Sequence, residues 1–288
     1  MNKKSIITCA MSGAGTFKQN NPAVPYTPEE FADEAEKACR AGAAIVHVHA
    51  RDDNGMATHD IGRIRATHDA IRERVPGVIV NLSSAVGPLA TPEQRIEQIL
   101  EIRPEMASLN TNTMNFSIID RKTGAIVFDN VFTNTFTMLR DFGRAMEENG
   151  VKPEVEVYDM GGLDNFLLID RQGIFSSPYA FNFVWGVAGG QRFRPEVFAA
   201  LVKAIPAEAN FTACGIGPDQ FFACMQSCIM GGHLRVGLED NTRMPGGELA
   251  RGNYELVEWA AALVRSLGRE PATPDEARKI LGLGKNSA

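Results

Sequence analysis

Short runs of apolar, largely β-branched residues alternate with segments of helical length from one end of the chain to the other. The runs fall at 6–10, 44–49, 78–82, 106–110, 154–158, 180–184, 210–214 and 234–237, each as long as a strand buried on both faces. A helix-length segment follows every one of them, at 28–41, 60–74, 92–102, 133–149, 162–172, 195–204, 218–230 and 247–267. Eight βα units in series predict an α/β fold, a TIM (β/α)8 barrel forming a single domain over 1–288. A doubly wound open sheet is the competitor, but no G-x-G-x-x-G follows the first strand and the count of units suits closure.

Local punctuation supports the helices. "TPEE" at Thr27, "TPEQ" at Thr91 and "TPDE" at Thr273 each set a Thr N-cap, a Pro at the first helical position and an acid or amide three residues after the cap, which is a capping box. The stretch "FSIIDRKTGAIVFDN" at 116–130 reads as a hairpin with a "DRKTG" turn, inserted between the fourth strand and its helix. Such an insertion lies over the C-terminal end of a barrel. A helical tail is expected at 274–282.

Composition narrows the function classes. With 22% charged residues and a net charge of -6, the chain has no general attraction for nucleic acid or anionic membranes, so an anionic ligand has to be held by local groups. The start, "MNKKSIITCAMSG", has a basic beginning and a short apolar run that reads as the first strand rather than a signal peptide. No apolar stretch approaches the roughly 20 residues of a membrane-spanning helix, and a cytoplasmic location is expected. The five cysteines, Cys9, Cys39, Cys214, Cys224 and Cys228, are odd in number and scattered in apolar surroundings, which fits reduced thiols rather than a disulfide framework. Cys224 and Cys228 are spaced for one helix face.

Chemistry enters with "AIVHVHARD" at 44–52. Residues two apart on a strand share a face, so His47 and His49 present adjacent imidazoles, either as metal ligands or as a hydrogen-bonded pair. In a barrel, function collects at the C-terminal strand ends, and these are polar almost throughout: Ser12-Gly13-Ala14-Gly15; His47, His49 and Arg51; Asn81, Ser83 and Ser84; Asn110, Thr111 and Thr113; Glu156 and Asp159; Asn182; and Arg235, Glu239, Asp240 and Asn241. Two histidines with one carboxylate make an open metal site. Glu239 is the best-placed third ligand, because it follows the eighth strand, which in a closed barrel neighbours the first. Taken alone, "LEDN" also fits a solvated turn or N-cap. His59 and His68 read as surface residues, and His233 begins the eighth strand, at the end away from the chemistry.

The segments "TPEEFADEAEKACRAGAAIVHVHARDDNG", "RPEMASLNTNTMNF", "FVWGVAGG" and "GGHLRVGLEDN" resemble the β-keto acid cleavage enzymes over nearly the whole chain. That resemblance implies a zinc-dependent TIM barrel, usually a homotetramer, converting a β-keto acid and acetyl-CoA into acetoacetate and a new acyl-CoA. It implies zinc ligands His47, His49 and Glu239, a base Asp240 and its assistant Arg235. Ser83 matches the family serine that holds the keto acid, and Thr111 or Thr113 matches a family threonine. Ser84, Asn110 and Gly15 complete the expected substrate contacts. Family members acting on 3-keto-5-aminohexanoate carry a Glu in the first loop that meets the substrate amine; Gly15 stands at that position here, so a substrate without the amine is expected. The loop "NLSSAVG" at 81–87 is also shorter than the family's glycine-rich version.

For the CoA phosphates, "GVAGGQRFRP" at 186–195 offers backbone amides at Gly189 and Gly190, with Arg192 and Arg194, before a helix; an ordinary glycine-rich βα loop is the alternative. Lys18 is a second candidate. Two other functions fit parts of the pattern. A metal-dependent hydrolase of the amidohydrolase type also uses H-x-H on a barrel strand, but it places further histidines on later strands, and "EVEVYD" and "AFNFVW" have none. A non-catalytic metabolite-binding barrel would have no need of Asp240 and Arg235 beside an open metal site.

Overall fold

Alternation of side chains along short parallel strands sets the architecture. The computed structural model describes residues 3–87, 90–120 and 123–284. Its elements run β1 (Lys4–Ser5), β2 (Ile7–Ala10), α1 (Pro28–Ala41), β3 (Ile45–Val48), α2 (Ile61–Arg74), β4 (Ile79–Leu82), α3 (Pro92–Ile102), β5 (Met106–Asn110), β6 (Met114–Ile119), β7 (Ile126–Phe132), α4 (Phe136–Glu148), β8 (Lys152–Val157), α5 (Met160–Asp170), β9 (Ala180–Trp185), α6 (Pro195–Ala204), β10 (Asn210–Gly215), α7 (Asp219–Ile229), β11 (His233–Val236), α8 (Asn253–Ser266), β12 (Glu270–Pro271) and α9 (Pro274–Leu281). Strands β2, β3, β4, β5, β8, β9, β10 and β11 form a closed parallel barrel, with β11 returning to β2. This is the expected TIM barrel.

Outward-facing residues carry the stability. Ile7, Cys9, Val46, Val48, Val80 and Leu82 pack against α1, α2, α7 and α8 in one apolar cluster, while Val155, Val157, Phe181, Phe183 and Trp185 pack against α4, α5 and α6 in another. The inward face is different. Ile6, Ile45, Ile79, Met106 and Ala180 close the bottom, with Ala277 and Leu281 of α9 beneath them. Two residues further along the same faces the chain switches to His47, Asn81, Ser108 and Asn182, so above its plug the interior is lined by polar groups.

All three capping boxes form as read. The hairpin is β6 against β7, antiparallel and somewhat longer than 116–130; residues 121–122 of its turn lie outside the described residues. Other boundaries move for local reasons. α5 begins at Met160 because Asp159 caps it, accepting from Gly162 N at 2.9 Å. α4 begins at Phe136 under a Thr135 cap. α8 starts at Asn253, later than 247, because Gly247 takes φ +95° in a turn closed by Arg243 and Leu249. The two-residue strands β1 and β12, paired in parallel below the barrel, were not expected. The cysteines are free, and among the described residues no helix is long and apolar enough to cross a membrane.

His59 is exposed, His68 half-buried, and His233 buried at the start of β11. His233 Nδ1 accepts from Ile6 N at 3.2 Å, and burial, reinforced by Arg269, pushes its pKa down to about 3. The unfolded chain binds this proton near pH 6.5 and the folded chain refuses it, so the contribution to stability is complete above about pH 6.5 and is lost as pH falls towards 3, by about 2 kcal/mol at pH 5. In His233→Asn, the Oδ1 atom takes over as acceptor without the titration. Urea unfolding at pH 7 and pH 5 is expected to show a fall in unfolding free energy about 2 kcal/mol smaller in the variant than in the wild type; equal falls would show that another group is responsible.

Candidate active site

Two glycines bring the loops after β2 and β11 into contact. Gly237 lies at φ +149°, where any Cβ would strike the Ala10 carbonyl, and this close approach lets Glu239 N donate to Ala10 O at 3.1 Å. Gly13, at φ +60°, leaves only 2.5 Å between a hypothetical Cβ and Glu239 Cγ. Glu239 is thereby pressed against the top of β3. Its Oε1 lies 3.5 Å from His49 Nε2 and 3.7 Å from His47 Nε2.

The fit of this trio to a metal ion follows from its own atoms. One ligand atom from each of the three residues falls within 4.8 Å of the others. The separations of 3.5 and 3.7 Å are near the edge of a tetrahedron with bonds of about 2.1 Å, as for zinc. Glu239 Oε2 and the Nδ1 atoms of both histidines are buried without hydrogen-bond partners. Imidazole and carboxylate are suitable donors for a divalent transition metal. Burial, with Arg235 nearby, holds His47 well below its ordinary pKa, in the neutral form a ligand requires.

Beside the trio, the buried guanidinium of Arg235 gathers three carboxylates. It bonds Asp240 in fork fashion, Nε to Oδ2 at 2.9 Å and Nη2 to Oδ1 at 3.0 Å; Nη1 reaches Glu156 Oε1 at 3.1 Å, and Nη2 also donates to Glu239. Burial pushes the Asp240 carboxyl up to about 6 against the pull of Arg235, and Glu156 up to about 7. Burial also works against ionised Glu239, but the Arg235 guanidinium beside it holds it well below the usual carboxylate range. The pocket thus keeps one firmly ionised carboxylate at the histidines and a more basic one next to it.

The remaining expected residues spread over the rim. Tyr158 Oη lies 3.0 Å from Asn110 Oδ1 and 3.3 Å from Glu156 Oε2, and Asn110 Nδ2 donates to Ser84 Oγ at 3.4 Å, which ties Asn110 and Ser84 to the Arg235 cluster. Ser83 Oγ accepts from Ala85 N. Thr111 Oγ1 is spent on Glu156 O at 2.9 Å, and exposed Thr113 accepts from Asn134 N at the base of the hairpin. Asn182 is buried with both side-chain polar atoms unpartnered. Gly15 is exposed, and a Cβ there would meet nothing within 4 Å. In the glycine-rich loop, Gly190 N donates to Val187 O, while Gly189, at φ +104°, packs against Asn115 of the hairpin. Arg192 and Arg194 are exposed, and Lys18 is paired with Glu30.

One member of the pocket, Glu154, escaped the sequence reading. It faces inward from β8 together with Glu156, which the strand-end pattern had already marked, and its signal is "EVE", the same spacing on one strand face that marked "HVH". Tyr158 continues the series.

A parallel barrel with its polar groups gathered at the C-terminal mouth is the architecture of a TIM-barrel enzyme. The chain belongs to the beta-keto acid cleavage enzyme family, whose model matches residues 4–283. It is 44% identical to the 3-keto-5-aminohexanoate cleavage enzyme of Fusobacterium nucleatum, over 99% of this chain and 100% of that one, and 41% identical to the enzyme of that name from Acetoanaerobium sticklandii, over 98% and 100%. It is 33% identical to the 3-dehydrocarnitine:acetyl-CoA trimethylamine transferase of Rhizobium meliloti, over 99% of this chain and 98% of that one. The fold matches a ternary complex of ObcA with a C4-CoA adduct and oxalate at a TM-score of 0.72 and 23% identity, covering 91% of this chain and 68% of that one.

The Gly13 contact makes the trio testable apart from turnover. In Gly13→Ala, the new methyl, together with the strain of φ +60°, is expected to displace Glu239 from the histidines. Zinc affinity measured by chelator competition is expected to fall at least tenfold while the circular dichroism spectrum is unchanged; wild-type affinity in this variant would mean that Glu239 is not a ligand.

Proposed function

We propose that the protein is a zinc-dependent β-keto acid cleavage enzyme that uses acetyl-CoA as co-substrate and releases acetoacetate and a new acyl-CoA. The observation that carries this reading is the adjacency of His47, His49 and Glu239 to Asp240, with Arg235 bonded to both acids. His47, His49 and Glu239 hold the ion, which when bound supplies Lewis acidity to the keto group of the substrate.

Asp240 removes the proton from C2 of the keto acid, and its raised pKa suits it to take that proton near neutrality. Arg235 fixes both oxygens of Asp240, so the base is oriented before the substrate arrives. The C2 carbanion attacks the acetyl thioester carbonyl and CoA thiolate leaves. The thiolate then attacks the original keto carbonyl, the C2–C3 bond breaks, the acyl group departs on CoA, and C2 recovers its proton from Asp240 to give acetoacetate. No enzyme nucleophile is needed, in keeping with the buried thiols of Cys9, Cys214 and Cys224, which burial drives above their usual range. Ser83, Ser84 and Asn110 border the keto acid; Arg192, with Arg194 close by in sequence, is an exposed cation for CoA. A hydrolase of the amidohydrolase type is disfavoured because β8 and β9 put Glu154, Glu156 and Asn182 where further imidazoles would be required.

Purified protein of known metal content, given acetyl-CoA and a panel of β-keto acids with neutral, acidic and cationic tails, is expected to form acetoacetate. Asp240→Asn should lower that rate about 10²–10⁴-fold, the share of a positioned base, and chelation should abolish it until zinc is restored. Undiminished turnover in Asp240→Asn would remove Asp240 from the role.

The open space at Gly15 sets the tail preference. The wild type is expected to favour a neutral tail over the amino-keto acid, and Gly15→Glu to raise kcat/KM for the amine substrate at least tenfold relative to the neutral one. Equal use of both substrates by the wild type would dismiss Gly15 as the discriminating position.

A further inference from the structure

Among the four acids of the pocket, Glu154 is the one that Arg235 does not touch: the guanidinium bonds Asp240, Glu156 and Glu239. It is buried, and a buried carboxylate is costly unless something polar answers it. One answer is Asn81, whose Nδ2 donates to Glu154 Oε2 at 2.7 Å. The other faces it across the barrel interior. His47 is the register partner of Asn81, and its Nδ1 lies 4.0 Å from that same Oε2.

His47 turns Nε2 towards Glu239. To hold a cation there, Nε2 has to carry a lone pair, so the ring proton sits on Nδ1, a buried nitrogen without a partner. A carboxylate facing such an N–H fixes both the tautomer and the ring plane. The 4.0 Å separation is about 1 Å longer than a charge-assisted hydrogen bond. His49 has no equivalent: among the described residues, the carboxylate paired with it is Glu239, at Nε2. The two imidazoles are therefore not interchangeable.

We propose that Glu154, anchored by Asn81, is the positioning residue of His47: it accepts the Nδ1 proton and thereby commits Nε2 to the ion. This rests on the reading of His47 as a metal ligand, and its test separates the two. Full-length protein labelled with ¹⁵N-histidine is examined by NMR without metal, and zinc affinity is measured by chelator competition. The wild type is expected to show His47 as the Nδ1–H tautomer. Glu154→Gln keeps the shape and removes the charge; it should shift the ring towards Nε2–H and weaken zinc binding tenfold or more, within the 10–100-fold range of such partners. Glu154→Asp keeps the charge but shortens its reach and should move both readouts the same way by less, which covers the case of a poorly folded Glu154→Gln. An unchanged His47 tautomer in both variants would overturn the proposal. A wild type that binds no zinc would sink the metal reading, while the tautomer comparison in metal-free protein still decides the role of Glu154.

Discussion

The pocket depends on one buried cation. Arg235 stands on the inner face of β11 with Glu154, Glu156, Glu239 and Asp240 around it, one positive charge among four acids in the low-dielectric interior of a barrel. Isolated, any of these charges would be expensive to bury. A planar guanidinium with five donors can satisfy several carboxylates at once in fixed directions, which an ammonium cannot. The imbalance that remains has consequences. Burial first, and the surplus of acids second, raises Glu156 and Asp240, and the surplus leaves the site favourable to a further cation at the place where Glu239 meets the imidazoles.

Two other guanidiniums, with no carboxylate in contact among the described residues, hold the loops around this centre. Arg51, fully buried, donates to Ser12 O, Thr16 O and Gly55 O, pinning the first loop next to Gly13 and Gly15. Arg95, in α3, donates to Ser84 O, Thr133 O and Asn134 Oδ1, tying the serine loop to the base of the hairpin. Burial lowers the Arg95 pKa to about 10, still far above neutrality, so the charge stays on. Backbone carbonyls thus take the part of counter-ions, and the loops that border the substrate are held by the same kind of donor that holds the base.

What could be read from the sequence followed the strength of its periodicity. The barrel was legible because eight apolar runs alternate with helices, and His47 and His49 because imidazoles interrupt such a run at strand spacing. Glu239 and Asp240 were legible from closure, which sets the end of β11 beside β2. Glu154 was not: an acid within "PEVEV" gives no hint of its partner until register puts β8 beside β5 and Asn81 across from it. The pairing of β1 with β12 was hidden for another reason, since two residues carry no period. The start of α8 was misplaced because apolar content around 247–252 says nothing of the turn made by Gly247.

The same period explains where stability and chemistry part. Along each strand, one face continues apolar to its end and meets helices, as Val155, Val157, Phe181 and Phe183 do. The other face is apolar only at the bottom, through Ile6, Ile45, Ile79, Met106 and Ala180, and then turns polar. In a barrel whose interior is packed with branched side chains, those inner layers add to the core; here they are given to histidine, asparagine and glutamate. The outer shell and the plug sealed by α9 must then hold the barrel closed without them. A pocket of mutually bonded charges can stay in place because the scaffold around it does not rely on that pocket for its apolar burial.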